Sequence, residues 1–218
     1  MSSEDGTLRL GPSGSEAKAI CVFVHGRGQS PEEMHSRVVA RLSAPSVAFV
    51  LPRAPRGAWW DARAVDPLTP VTRGQLSDAL DHLAAVMAAA RAAAPRQPML
   101  LAGFSQGACL AIEYLCAGLP PPDAVAALTG CRVGVPADGR SASAPAGTPV
   151  YLSGGDADPW IPLSAFADAA QSLGARGVKL RADLFPGRAH EVSDAEIGML
   201  DAILVDLAGR PPAMGADR

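Results

Sequence analysis

The pentapeptide Gly103-Phe104-Ser105-Gln106-Gly107 constrains the fold of this chain more than any other stretch. An apolar run at residues 99–102 precedes it, and a second apolar run at residues 108–112 follows. This context predicts a buried strand, a tight turn and a helix, with the serine in the strained turn. The flanking glycines suit such a turn because a side chain at either position would strike a neighbouring element. Gly-x-Ser-x-Gly alone is weak evidence, and it is the strand–turn–helix context that predicts a nucleophile elbow.

Length and composition describe a single globular domain. The chain has 218 residues, 48% of them hydrophobic and 19% charged, so it can bury one substantial core, whereas two full domains would be cramped. A net charge of −3 gives no electrostatic basis for binding nucleic acid or anionic membranes. The four cysteines show no Cys-x-x-Cys spacing, which favours buried free thiols over a disulfide framework or a metal site. Without a signal peptide or a run long enough for stable membrane insertion, the cytoplasm is the expected location.

Strand-like and helix-like stretches alternate along the chain. Apolar, β-branched runs predict buried strands, and a 3.6-residue apolar period predicts amphipathic helices between them. The strands are expected at residues 19–24, 47–51, 99–102, 124–129, 150–153 and 179–185, and the main helices at residues 75–94, 162–173 and 193–207, with a further helix opening at Ser30-Pro31. This order predicts one α/β domain at residues 18–208 with a mostly parallel central sheet flanked by helices. Residues 1–17 are expected to form an N-terminal segment with an edge strand, and residues 209–218 a frayed tail.

A serine hydroxyl needs a base to become a nucleophile at neutral pH, and two of the four histidines follow predicted strands. His25 ends the first buried strand, and His190 lies in the loop after the last one. Both can meet Ser105, because the carboxyl ends of parallel strands share one edge of the sheet. Chain order favours His190, since in this architecture the base comes after the nucleophile and the acid.

The base needs a carboxylate to orient it, and two aspartates lie in the interval between Ser105 and His190. Asp156 and Asp158 both follow the strand at residues 150–153, and both could instead be ordinary turn formers. Pro159 biases Asp158 towards an extended backbone that could present its carboxylate, which favours Asp158 slightly. From the residues alone the choice stays open.

Backbone amides are the expected stabilisers of negative charge on an attacked carbonyl. The amide of Gln106 lies at a helix N-terminus directly after the serine. A second donor should come from the turn His25-Gly26-Arg27-Gly28, whose glycines permit a tight backbone that aims the Arg27 amide at the site. An ordinary glycine turn is the alternative for that stretch.

Five motifs in order along residues 18–208 resemble the phospholipase/carboxylesterase family of small serine esterases, which are related to acyl-protein thioesterases. The motifs are His25-Gly26-Arg27-Gly28, Leu51-Pro52-Arg53-Ala54-Pro55 with Trp59-Trp60-Asp61, Gly103-Phe104-Ser105-Gln106-Gly107, Asp156-Ala157-Asp158-Pro159-Trp160-Ile161-Pro162, and Gly187-Arg188-Ala189-His190. The resemblance implies a single-domain α/β-hydrolase fold without a large lid domain.

The same resemblance implies a role for each site residue. It implies Ser105 as nucleophile, Asp158 as acid and His190 as base, with the amides of Arg27 and Gln106 as oxyanion donors. Members use no cofactor and often form homodimers, so the resemblance implies no cofactor and allows a homodimer without deciding the oligomeric state. Residues 63–73 depart from the family pattern.

Three tryptophans are expected near the same sheet edge, where Trp59, Trp60 and Trp160 could line a substrate pocket or pack in the core. The sequence therefore predicts a carboxylesterase for small or single-chain acyl esters, with thioesters and lysophospholipids as further substrates of the same triad. A dienelactone-hydrolase-like enzyme for cyclic esters is an alternative, although those relatives usually carry cysteine in the elbow. A non-catalytic α/β-hydrolase scaffold that binds a ligand is another, and it would be expected to lack a triad member.

Overall fold

The computed structural model describes residues 6–210 of the chain. Seven strands form one sheet in the order β1-β3-β2-β4-β5-β6-β7. Their bounds are β1 Leu8–Leu10, β2 Ala19–Val24, β3 Val47–Leu51, β4 Met99–Phe104, β5 Ala124–Leu128, β6 Pro149–Gly155 and β7 Lys179–Phe185. Strands β2 to β7 pair in parallel, and β1 pairs antiparallel with β3 at one edge. The predicted mostly parallel α/β sheet is therefore confirmed.

Five α-helices cover the two faces of the sheet. They are α1 Pro31–Arg37, α2 Pro70–Ala93, α3 Gln106–Cys116, α4 Leu163–Gly174 and α5 Asp194–Gly209. Helices α2, α3 and α4 pack with one set of strand side chains, and α1 and α5 pack with the other. Alternate residues of β2 divide between the two clusters, because successive side chains of a strand point to opposite faces. This explains why the central strands are apolar at every position.

Helix α2 begins earlier than the predicted start at residue 75. It starts at Pro70, and Thr69 and Thr72 form a reciprocal capping box at its N-terminus. The sequence carried this signal, since threonine followed by proline is a favoured helix start, but the surrounding prolines and arginines resembled a loop. The loop after β3 is shorter than predicted as a result.

The helices predicted to open at Ser30 and at residue 193 begin with different caps. Ser193 and Glu196 form a full capping box at the start of α5. Ser30 caps α1 by accepting from the Glu33 amide at 3.2 Å, but the Glu33 side chain instead pairs with Arg37 one turn later. Residues 1–5 and most of the tail predicted at residues 209–218 lie outside the described residues.

No inserted domain interrupts the elements within residues 6–210, in line with the expected absence of a large lid. Among those residues, no helix combines the length and apolar character needed to cross a membrane. The carboxyl ends of β2, β4, β5, β6 and β7 all open on one edge of the sheet. The loops and turns that follow β2, β4, β6 and β7 carry the predicted triad and the two predicted oxyanion donors.

Candidate active site

Ser105 lies in the turn between β4 and α3 with a backbone φ of 56° and ψ of −120°. A non-glycine residue in this region is strained, and the neighbours explain how the turn is held. The Ser105 amide donates to the Leu128 carbonyl at 3.0 Å, which ties the turn to the end of β5. A Cβ at Gly107 would collide with the Val24 carbonyl oxygen, and one at Gly103 would lie 2.5 Å from the Gly107 backbone. Glycine is therefore required on both sides of the serine.

His190 hydrogen-bonds the serine and an aspartate through its two ring nitrogens. Its Nε2 lies 2.8 Å from the Ser105 Oγ, and its Nδ1 lies 2.7 Å from Asp158 Oδ2. The imidazole also packs against the Phe104 ring, with centroids 5.1 Å apart. His190 lies 85 positions from Ser105 and 32 from Asp158 in the chain. The fold brings the three side chains together, because the loops after β4, β6 and β7 meet at one edge of the sheet.

Asp158 and Asp156 have different partners. The Asp158 side chain is fully buried, and its second oxygen accepts from the amides of Trp160 at 2.7 Å and Ile161 at 3.0 Å. Asp156 instead accepts from the Gly187 amide at 2.5 Å, which joins the loop after β6 to the loop after β7. The structure thus pairs Asp158 with His190 and leaves Asp156 as a loop-forming residue.

His25, the other histidine at the end of a strand, hydrogen-bonds with backbone groups through both ring nitrogens. Its Nδ1 lies 2.7 Å from the Gly26 carbonyl, and its Nε2 accepts from the Ala54 amide at 3.0 Å. Burial lowers the pKa of His25 below its ordinary value, and the hydrogen bond to Gly26 offsets only part of this. A neutral ring that accepts at Nε2 suits these contacts, and it holds the turn at residues 25–28 against the loop after β3.

The turn after β2 leaves one amide available at the site. The amide of Gly26 donates to the Gln29 side chain at 3.0 Å, and that of Gly28 donates to the Gly57 carbonyl at 2.6 Å. Within the described part of the chain, the Arg27 amide between them donates to no protein acceptor. The amide of Gln106 is the first of α3, a position without an intrahelical acceptor. Both amides predicted as oxyanion donors thus lie beside Ser105, and within residues 6–210 neither donates to a protein acceptor.

An open cavity of about 420 Å³ lies beside Ser105. Its lining comprises Arg27, Asp61, Arg63, Ala64, Ser105, Gln106, Cys109, Trp160, Ile161 and His190. Trp160 is 57% exposed at its rim, as expected of a pocket residue. The pocket prediction is wrong for Trp59 and Trp60, which are 4% and 1% exposed and belong to the core.

The Gln106 side chain holds the backbone of the two buried tryptophans. Its Oε1 accepts from the Trp59 amide at 2.9 Å, and its Nε2 donates to the Trp60 carbonyl at 2.8 Å. The Trp59 indole donates to the His25 carbonyl at 2.8 Å. Both tryptophan side chains pack in the core and do not line the cavity beside Ser105.

Several lining residues were not anticipated from the sequence. Cys109 follows Ser105 by one helical turn, a spacing that places both on the same face of α3 and could have identified it. Asp61, Arg63 and Ala64 belong to the irregular loop before α2, where no periodicity exists to orient a side chain. The Arg27 guanidinium donates to the carbonyls of Asp61 and Ala62 and so attaches this loop to the site.

The sheet order and the strained strand–turn–helix at Ser105 define the α/β-hydrolase fold. The phospholipase/carboxylesterase family model matches residues 8–205. This chain therefore belongs to the phospholipase/carboxylesterase family, and it is a hydrolase that acts on ester bonds. The resemblance predicted from the five motifs is confirmed.

Solved structures give the same assignment. A phospholipase/carboxylesterase from Dyadobacter fermentans is 28% identical with a TM-score of 0.81, over 91% of this chain and 95% of that one. Esterase PE8 is 26% identical with a TM-score of 0.74, over 92% and 97%. Acyl-protein thioesterase 2 from Zea mays shares the fold, with 19% identity and a TM-score of 0.72, over 93% and 99%. No match is found among proteins with curated descriptions.

Proposed function

We propose that the protein hydrolyses carboxylic esters of small or single-chain acyl groups, thioesters included, through an acyl-enzyme on Ser105. The observation that carries this proposal is the unbroken pair of hydrogen bonds from Asp158 through His190 to Ser105, at 2.7 and 2.8 Å, beside an open cavity. A silent ligand-binding scaffold would be expected to lack one of these three groups. All three are in hydrogen-bonding contact.

In the proposed reaction His190 moves the protons and Asp158 keeps the imidazole oriented. His190 Nε2 takes the Ser105 proton as Oγ attacks the carbonyl carbon, and the proton then passes to the leaving alcohol or thiol. In the second half, His190 takes a proton from water, which attacks the acyl carbon, and the proton returns to Ser105 as the acid leaves. Asp158, fully buried and held by two amides, stabilises the imidazolium at each stage.

In this proposal the amides of Arg27 and Gln106 stabilise the negative charge of each tetrahedral intermediate. Two features support these donors: both lie next to Ser105, and neither spends its N–H on another group of the described chain. Loss of one such donor in other serine hydrolases typically costs about 10²- to 10³-fold in kcat.

The cavity favours short or extended acyl groups. Its apolar surface comes from Ala64, Cys109, Trp160 and Ile161, whereas Arg27, Asp61 and Arg63 are exposed and charged. A long acyl chain would leave much of its length in water or against charge, so the free energy gained per added methylene should fall with length. Hydrolysis of acetyl, butyryl, octanoyl and palmitoyl 4-nitrophenyl esters tests this directly. A strong preference for palmitoyl would contradict the proposed chain length.

A fluorophosphonate tests the nucleophile. We expect one adduct, on Ser105, by mass spectrometry, with no adduct in Ser105→Ala and slow labelling in His190→Ala. Ester hydrolysis in either variant should fall by about 10⁴-fold or more. His35→Ala, in α1 and outside the site, is the matched histidine control and should label at the wild-type rate. An adduct on another residue, or full activity in Ser105→Ala, would overturn the assignment.

Substitutions of the two aspartates in the loop after β6 test which one is the acid of the triad. Asp158→Asn should lower kcat by about 10⁴-fold, because the amide favours the wrong imidazole tautomer. Asp156→Asn keeps an oxygen for the Gly187 amide and should retain most of the activity. An equal loss in both variants would remove Asp158 from its proposed role.

A further inference from the structure

A cluster of buried polar side chains lies behind the loop that carries His190. It consists of Thr129 directly after β5, Ser153 in β6, Glu196 in α5 and Arg188. Arg188 lies in the loop at residues 186–193 that also carries His190, called the base loop. Three of the four have no exposed surface and Arg188 is 7% exposed. None of them lines the cavity beside Ser105. The proposed reaction uses none of their groups, so their burial calls for another explanation.

Glu196 is the centre of this polar cluster. Its carboxylate accepts from Arg188 Nη1 at 2.9 Å, from the Ser193 amide at 2.7 Å and hydroxyl at 2.8 Å, and from the Ser153 hydroxyl. A buried ion pair is often no more stabilising than an apolar pair of the same size, because both charges lose their hydration. Stability alone therefore does not account for placing charge here.

Two members of the cluster, Arg188 and Thr129, hydrogen-bond the carbonyl of Glu191, the residue after His190. Arg188 Nη1 donates to the Glu191 carbonyl, and Arg188 Nη2 donates to the Thr129 hydroxyl at 2.8 Å. The same hydroxyl donates to the Glu191 carbonyl in a longer bond of 3.5 Å. Two side chains that are hydrogen-bonded to each other thus hold the peptide between Glu191 and Val192. This peptide lies one residue after the base, so its position restricts the backbone from which the His190 side chain projects.

The backbone of Thr129 is strained. Its φ is 56°, in the left-handed region where a β-branched residue is a genuine outlier. Glycine would adopt this conformation without strain but has no hydroxyl. The Thr129 hydroxyl is the group that both accepts from Arg188 and donates to Glu191, which gives a reason for threonine at this position.

The same strand end also holds the nucleophile. The Ser105 amide donates to the carbonyl of Leu128, the residue before Thr129, at 3.0 Å. The Thr129 amide in turn donates to the Ser153 carbonyl at 3.0 Å. The serine turn and the base loop are therefore both attached to the end of β5, which sets their separation.

We propose that Thr129, Arg188 and Glu196 are positioning residues that fix His190 relative to Ser105 through the Glu191 carbonyl. This inference rests on the proposed function, in which His190 is the base. The three residues touch neither substrate nor the reacting atoms. Their effect is to keep Nε2 within hydrogen-bonding distance of Oγ, where a displacement of about 1 Å can cost 10²-fold in rate.

A pair of substitutions at Thr129 separates positioning from folding. Thr129→Gly removes the hydroxyl together with the strain, so Tm should change little while kcat falls about 10- to 100-fold and KM stays within about 2-fold. Thr129→Ser keeps the hydroxyl and should restore most of kcat. Fluorophosphonate labelling of Ser105 should slow in parallel in Thr129→Gly, and amide hydrogen exchange across residues 188–192 should become faster.

The outcomes distinguish this proposal from the one on which it rests. If the wild-type protein gives no Ser105 adduct, the proposed function fails, and the exchange measurement alone then decides whether the cluster holds the loop. If the wild type labels normally and Thr129→Gly keeps its kcat and labelling rate, the positioning role is overturned. Loss of activity in Thr129→Ser equal to that in Thr129→Gly would overturn it as well, since the hydroxyl would then be irrelevant.

Discussion

One buried arginine–glutamate pair lies on each side of the sheet, and the two pairs differ in their hydrogen bonds. Arg132 meets Glu113 of α3 through two bonds, Nε to Oε1 at 2.7 Å and Nη2 to Oε2 at 3.1 Å, and its remaining N–H groups reach Ser172 and Ser141. Arg188 meets Glu196 through one nitrogen and spends its other contacts on the base loop and Thr129.

The arrangement of Arg188 has a cost in stability. Among the described residues, its Nε is a buried donor without a hydrogen-bond partner, whereas every nitrogen of Arg132 has one. An unsatisfied buried donor typically costs about 1–3 kcal/mol. The contacts of Arg132 therefore suit the stability of the scaffold, whereas the geometry of Arg188 suits the placement of a neighbouring loop at some cost in stability.

Removing one acid from each pair should give the largest effects. Glu113→Gln and Glu196→Gln each leave a buried guanidinium without its counter-charge, and we expect each to lower the free energy of unfolding by about 3–5 kcal/mol. Urea unfolding measures this loss. Only Glu196→Gln should also lower kcat per folded molecule, determined by active-site titration. A kcat loss in Glu113→Gln of the same size would erase the distinction between the pairs.

Replacing both members of a pair should recover stability without necessarily recovering activity. In Glu113→Leu with Arg132→Met, apolar packing replaces the ion pair, so most of the single-variant loss should return and kcat should match the wild type. Glu196→Leu with Arg188→Met should regain stability similarly but keep a kcat reduced about tenfold or more, because the Glu191 carbonyl has lost its arginine. Full activity in this second double variant would show that the pair acts only through folding.

Lysine substitutions should give smaller effects. Arg132→Lys loses the two-point contact and should cost about 1–3 kcal/mol with kcat unchanged. Arg188→Lys keeps a charge for Glu196 but cannot reach Thr129 and the Glu191 carbonyl together, so kcat should fall about tenfold with KM near the wild-type value. Thermal unfolding and steady-state kinetics on the same preparations separate the two responses.

A pH series should give the smallest effect and concerns a third buried polar residue, His25. Since burial lowers its pKa in the folded state, the unfolded chain binds more protons once the pH falls below about 6.5. Stability contributed by His25 is therefore present above that pH and lost as the pH falls, by at most about 1.4 kcal/mol per pH unit. His25→Gln should flatten this part of the profile relative to the wild type. An unchanged slope would mean that His25 takes up its proton in the folded state.

Much of the fold follows from local pattern. The apolar runs of β2, β4 and β5 are buried on both faces because helices cover both sides of the sheet, and such runs are recognisable without a structure. The start of α2 at Pro70 was missed because its capping signal lies among prolines and arginines that also suit a loop. A local signal is ambiguous when two structures use the same residue types.

The candidate site was predictable where chain order and motif constrain it. Ser105, His190 and the amides of Arg27 and Gln106 follow from motifs at strand ends, because parallel strands bring those ends together. The choice between Asp156 and Asp158 could not be made from local chemistry, since both suit the same turn. Trp59 and Trp60 could not be assigned either, because their environment comes from residues distant in the chain. One of these is Gln106, 47 and 46 positions away, whose side chain hydrogen-bonds their backbone.

The sequence by itself determined the alternation of strands and helices, the nucleophile turn and the family, because each depends on residues close together in the chain. Local chemistry left the two aspartates open, and the contact of Asp158 with His190 that the family resemblance implied is seen only in the tertiary structure. Tertiary structure alone decided which tryptophan faces the cavity and why Thr129 is strained. The physical reason is that each of these depends on contacts between loops far apart in sequence. Arg188, Thr129 and Glu196 have no shared motif, and only the fold brings their polar groups to the carbonyl beside His190.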